Sequence, residues 1–87
     1  MTNEEKIRVL RRIADADDSM SFYDDYSGRN MYGKECVAVD TYDPNDLIEK
    51  AAARGVTGAR VDSMGKAYVV YWPSIQATEI EEESNDG

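Results

Sequence analysis

The segment Ser21-Phe22-Tyr23-Asp24-Asp25-Tyr26-Ser27-Gly28-Arg29-Asn30-Met31-Tyr32-Gly33 places four of the chain's eight aromatic side chains among acids and glycines. Tyrosine offers a large contact area with few rotors plus a hydroxyl, so this composition resembles a recognition surface. Tyr23, Asp24, Asp25, Tyr26 and Arg29 are the candidate partner-binding residues. The structural alternative is a hairpin whose Phe22 and one or two tyrosines close a small core while the glycines serve the turns.

Acids are grouped as well. Asp15, Asp17, Asp18, Asp24 and Asp25 form a block without an intervening base, and Glu35, Asp40, Asp43, Asp46 and Glu49 form a second. A surface of this sign attracts basic protein grooves that ordinarily hold nucleic acid and repels DNA and RNA themselves. The plainer account is a solvated face that keeps the protein soluble. Oxygen ligands for Mg²⁺ or Ca²⁺ are present in Asp15-x-Asp17 and Asp24-Asp25, but the spacing lacks the loop glycine and terminal Glu of a calcium-binding hand, so no metal is expected.

Positive charge lies on Arg8, Arg11 and Arg12, and again on Lys50, Arg54, Arg60 and Lys66. An anion such as a nucleotide phosphate is the ligand these would hold, with Ser27-Gly28-Arg29 adding a turn and a bidentate donor. There is no Walker spacing and no dinucleotide fingerprint, and no cofactor is expected. Nucleophilic catalysis would need an activated base, yet the chain has no histidine, and its one cysteine, Cys36, falls in an apolar run. A glycosidase-like pair could be drawn from the 18 acids, but nothing selects one. Catalysis is not expected.

These residues must be positioned by a small scaffold. The 87 residues are 41% hydrophobic and 32% charged, a globular composition sized for one core. No apolar run is long enough to span a bilayer. The opening Met1-Thr2-Asn3-Glu4-Glu5 is polar and acidic, which does not lead into a secretory signal, and a cytoplasmic location is the expectation. Of the net charge of −8, the five acids Glu79, Glu81, Glu82, Glu83 and Asp86 leave −3 for residues 1 to 75. Only Ile80 is a large apolar residue in that tail, so 77–87 is expected to be a disordered acidic tail behind a single domain, 1–76.

Thr2 with Glu5 makes a capping box, and Ile7, Leu10, Ile13 and Ala14 follow at helical spacing, predicting a helix over 3–16. A second helix, 44–54, has Asp43 to cap it, Pro44 at the first position and Gly55 to stop it; Leu47, Ile48, Ala51 and Ala52 form its apolar face. Strands are expected at 35–41 and at 67–72, ending on Pro73, with a weaker one at 58–62 joined through the turn Asp62-Ser63-Met64-Gly65. A further strand over 20–26 would turn back through Ser27-Gly28-Arg29-Asn30. The expected fold is α+β, in the order αββαββ: an antiparallel sheet of three or four strands with both helices on one face.

With residues 21–33 and the run from Asp62-Ser63-Met64-Gly65 to Tyr71-Trp72-Pro73 in view, the chain resembles small acidic phage and prophage accessory proteins. In length, acidity and lack of catalytic equipment it is similar to phage-encoded inhibitors of bacterial defence, including anti-CRISPR proteins. The mixed charge of residues 1–75 departs from a uniformly acidic DNA mimic. The resemblance implies a non-enzymatic inhibitor that occupies a basic site on a bacterial protein or nucleoprotein complex, without direct nucleic-acid or membrane binding. Two alternatives remain. One is a protein that binds or sequesters a nucleotide or similar anion on Arg8, Arg12, Arg54, Arg60 and Lys66. The other is a homodimeric or larger phage component, suggested by Trp72 and Tyr68 on one strand face.

Overall fold

The computed structural model describes residues 1–28 and 31–76; the expected acidic tail, 77–87, lies outside the described residues, as does Arg29. Helix α1, Asn3–Asp15, begins on the capping box: the Thr2 hydroxyl accepts from the Glu5 backbone N–H, and Glu5 reaches back to the N–H of Thr2. Strand β1, Ser21–Tyr26, and strand β2, Cys36–Thr41, follow. Helix α2, Pro44–Ala53, starts where the Asp43 side chain accepts from the Asp46 N–H, and ends before Gly55, whose φ of 86° is the left-handed conformation that closes a helix. Strands β3, Arg60–Met64, and β4, Ala67–Gln76, complete the order αββαββ of an α+β fold.

The four strands are antiparallel and lie in the order β1-β2-β4-β3, which makes β1 and β3 the two edges. Period-two alternation sorts their side chains. Val37, Val39, Val70 and Trp72 face the helices and join Ile7, Leu10, Leu47 and Ala51 in the main core. Cys36, Ala38, Val69 and Tyr71 point to the other side. There they form a second, smaller cluster with Met31 and the partly buried Tyr26. The β1–β2 connection thus supplies the cover that a helix supplies on the front.

The cover depends on close approach. A Cβ on Gly28 would lie 2.9 Å from the Tyr71 ring carbon Cζ, so only glycine lets the loop lie flat on that ring. The chain then turns at Met31–Lys34, with the Lys34 N–H donating to the Met31 carbonyl and φ positive at both Tyr32 and Gly33, the signature of a type I′ turn. Near the turn expected at Ser27-Gly28-Arg29-Asn30, the Met31 N–H donates to the Gly28 carbonyl at 3.1 Å, and the type I′ turn follows it; Arg29 and Asn30 lie outside the described residues.

Two boundaries and one helix face differ from expectation for physical reasons. Strand β4 runs through Pro73 to Gln76, because the β2 register shifts between Cys36 and Val37 while β3 pairing ends at Tyr71. Pro73 falls in the irregularity between the Val37–Trp72 and Cys36–Gln76 pairs, where no paired residue calls for its N–H. Asp62, Ser63 and Met64 belong to β3, and the turn is the two-residue Gly65-Lys66, with Gly65 at φ 65° and Met64 paired to Ala67. On α2, Leu47 and Ala51 are buried whereas Ala52 is exposed, which narrows the apolar face.

Candidate functional site

Strand β1 carries the acidic and aromatic candidates, and a bulge decides where each points. Phe22 pairs with Val39 and faces the helix side, where the Arg11 guanidinium sits 4.9 Å from its ring centroid. Tyr23 pairs with Ala38 and faces the opposite side. Between Tyr23 and Tyr26 the register slips, so that Asp24 and Asp25 occupy the irregularity and Tyr26 pairs with Cys36 on the same side as Tyr23. Strict alternation would have sent Tyr26 to the helix side.

The two tyrosines consequently do different jobs. Tyr26 is half-buried, its ring tilted against Tyr71 at a centroid distance of 5.2 Å, and its hydroxyl donates a short hydrogen bond to Asp62 Oδ2 on β3. Burial, then the Asp62 bond and charge, push the phenol far above its ordinary value. Tyr26 is a strut between the two edges of the sheet. Tyr23 is exposed, and its hydroxyl donates to Asp40 Oδ2 at 3.2 Å; the Asp40 charge, that hydrogen bond and the neighbouring Asp25 charge raise its pKa. Asp24 and Asp25 are exposed and form no ion pair among the described residues.

The remaining acids are largely occupied with the fold. Asp17 Oδ1 accepts from the Ser19 N–H at 2.9 Å and from its hydroxyl at 2.6 Å, which lowers the Asp17 pKa. Asp40 also accepts from the Ser21 N–H, Asp43 caps α2, and Asp46 pairs with Lys50 at 2.9 Å. The two acid blocks of the sequence thus reduce, as unengaged carboxylates, chiefly to Asp24 and Asp25 beside Asp15, Asp18, Glu35 and Glu49. Tyr32 adds an aromatic at the tip of the type I′ turn, where it is 92% exposed. Its signal in the sequence was the Tyr32-Gly33 pair, since a residue followed by glycine can occupy a turn with two positive φ values.

Basic side chains converge elsewhere. Arg12, Lys50 and Arg54 line an open cleft of about 390 Å³ between the C-terminal turns of the two helices, with Asp17 at its wall. Lys50 is held by Asp46 and the Arg54 guanidinium donates to the Lys50 carbonyl at 3.1 Å. Both are placed where helix ends favour cations. Arg8 is paired with Glu4 at 2.7 Å, and Arg60 and Lys66 sit on the β3–β4 hairpin; none of them lines the cleft. Cys36 is fully buried, and burial pushes its thiol pKa up, opposite to what a nucleophile needs. Trp72 is buried too, so it is not available on an open strand face beside Tyr68. Among the described residues no group of three or more His, Cys, Asp or Glu side chains is placed to hold a metal, and no helix is long and apolar enough to cross a membrane.

The geometry defines an α+β domain with one acidic, bulged sheet edge and one small basic cleft. Comparison with protein-family models, with curated proteins and with solved structures gives no match.

Proposed function

We propose that this chain is a non-enzymatic binding protein that occupies a basic site on a bacterial protein or nucleoprotein complex with its β1 edge. The observation that carries the reading is the bulge, which thrusts two adjacent, unpaired carboxylates, Asp24 and Asp25, from an edge strand beside the exposed Tyr23. Fixed carboxylates next to an amphipathic ring suit a groove of Arg and Lys side chains: charge steers the encounter and the ring supplies contact area. Arg29 belongs to the same proposal from its place in the sequence and lies outside the described residues. Tyr26 supports the edge from beneath, since its ring and hydroxyl are taken up by Tyr71 and Asp62. The small size and acidity of the chain support the reading of a phage-encoded inhibitor of a bacterial defence complex. Occupation of a nucleic-acid groove is how such an inhibitor would act.

Capture from bacterial lysate at physiological salt, with the native protein beside the Asp24→Lys/Asp25→Lys variant, tests the proposal. A partner retained by the native chain and lost by the folded variant supports it. An identical set of proteins on both, or on neither, overturns it.

A second reading is favoured by the cleft alone: a nucleotide or similar anion held by Arg12, Lys50 and Arg54. A nucleotide at 100 times its dissociation constant would stabilise the fold by about 2.7 kcal/mol. A thermal-shift series with nucleoside mono-, di- and triphosphates that stays flat removes this alternative.

A further inference from the structure

The second edge of the sheet differs from the first in the regularity of its ladder and in its charge pattern. Strand β3 has five residues in unbroken register with β4, from Arg60 opposite Tyr71 to Met64 opposite Ala67, and it contains neither proline nor bulge. Proteins usually blunt an open edge with such devices, and a regular edge without them is a template for another strand. Exposed apolar groups accompany it: Val61 is 42% exposed, Met64 58%, and Tyr68 on the adjoining strand 38%.

The two-residue turn fixes which backbone groups are free. Met64 and Ala67 flank the turn as a mutually bonded pair, so Asp62 with Val69 and Arg60 with Tyr71 are bonded pairs as well. The N–H and C=O groups of Val61 and Ser63 therefore point away from the sheet. Only registers that oppose these outward residues can extend it. An antiparallel copy centred between Val61 and Ser63 would set Asp62 against Asp62, like charges directly opposite. One centred on Ser63 would leave Arg60 beyond the opposing strand. The register centred on Val61 sets each Arg60 opposite the other copy's Asp62, twice over by symmetry, in the non-bonded pairs where side chains are closest.

Both residues are prepared for that contact. Arg60 makes no ion pair among the described residues, and Asp62 uses Oδ2 for the Tyr26 hydroxyl, leaving Oδ1 without a hydrogen bond there. We propose that β3 is a self-pairing edge, through which two copies of this chain join their sheets antiparallel with Val61 on the two-fold axis and Arg60 paired to Asp62 of the other copy. The occupant is a second copy because the strand is complementary to itself in charge and in backbone pattern. The acidic β1 edges then face outward at opposite ends of the joined sheet, open to the partner proposed above.

Sedimentation equilibrium over a wide range of protein concentration, on the full chain, tests the pairing with two variants. Val61→Pro removes an outward N–H that β4 does not use, and Arg60→Glu turns both cross-copy attractions into repulsions. The expected result is a concentration-dependent dimer that Val61→Pro abolishes and Arg60→Glu weakens about tenfold in dissociation constant. Should Val61→Pro fail to fold, Arg60→Glu, which alters one exposed side chain, decides alone. A native chain that stays monomeric throughout overturns the proposal, and so does a dimer indifferent to Arg60→Glu.

Discussion

Strands β1 and β3 bound the same sheet, yet one is built to resist another strand and the other to accept one. On β1, the bulge at Asp24-Asp25 breaks the ladder and points charge outward, so backbone pairing with a neighbour is blocked while side-chain recognition is favoured. On β3 the ladder is regular and its charges alternate in sign, Arg60 then Asp62, with Val61 between. The difference lies in one inserted residue and in the charge pattern, not in strand length or hydrophobicity. It teaches that an edge strand's function is set by whether its backbone or its side chains are presented.

The contrast can be broken most severely at the back-face cluster on which both edges rest. Gly28→Ala would drive a methyl group into Tyr71, and we expect a loss of about 1–3 kcal/mol, measured by chemical denaturation. An unchanged midpoint would mean that the loop is not pinned to the sheet. Next in size is Tyr26→Phe, which removes the hydroxyl that links the edges and leaves the Asp62 carboxylate without its donor, at a cost of about 1–2 kcal/mol. The same variant sharpens the comparison through pH. Because the folded Tyr26 pKa lies above its unfolded value, its contribution is whole below pH about 10 and is lost as pH rises, the unfolded chain ionising first. Tyr26→Phe should therefore flatten the alkaline fall in stability, leaving the smaller share due to Tyr23.

Smaller still is the acid side. Asp17 is partly exposed, and its Ser19 hydrogen bonds lower its pKa; the contribution is present above its unfolded value and fades as pH falls through the folded one. Asp17→Asn should reduce that acid dependence slightly, as thermal melts between pH 2 and pH 5 would register. The smallest expected change is in the stability of Asp24→Lys/Asp25→Lys, within about 0.5 kcal/mol of the native chain, since neither side chain holds the fold together. A large loss would show that these carboxylates serve β1 itself and would move the recognition surface elsewhere.

Helices were legible in the sequence because signals at both ends agreed: Thr2 with Glu5 for α1, and Asp43-Pro44 with Gly55 for α2. The strands were legible in order and type but not in their limits. Asp62-Ser63 has turn composition, yet the positive φ available to Gly65 fixed the hairpin two residues later. Pro73 marked an end by its missing N–H, but the register shift in β2 removed the need for one. For the candidate site, composition identified β1 and could not divide its labour. Whether Tyr26 faces solvent or Tyr71 depends on a bulge, and whether Asp40, Asp43 or Asp46 is free depends on caps and partners that appear only when the chain has folded.

The placement of Trp72 gives the molecule an internal optical reporter. It is the chain's one tryptophan, fully buried in the helix-side core, and its indole N–H has no acceptor among the described residues. An indole so enclosed emits at short wavelength when the chain is folded and shifts to the red when water reaches it. Since β1 and β3 lie at the two edges and Trp72 sits on the central strand β4, ligands or copies arriving at either edge leave its surroundings dry. Its emission colour thus measures folding alone, so each variant above can be certified as native by light before its binding or self-association is weighed.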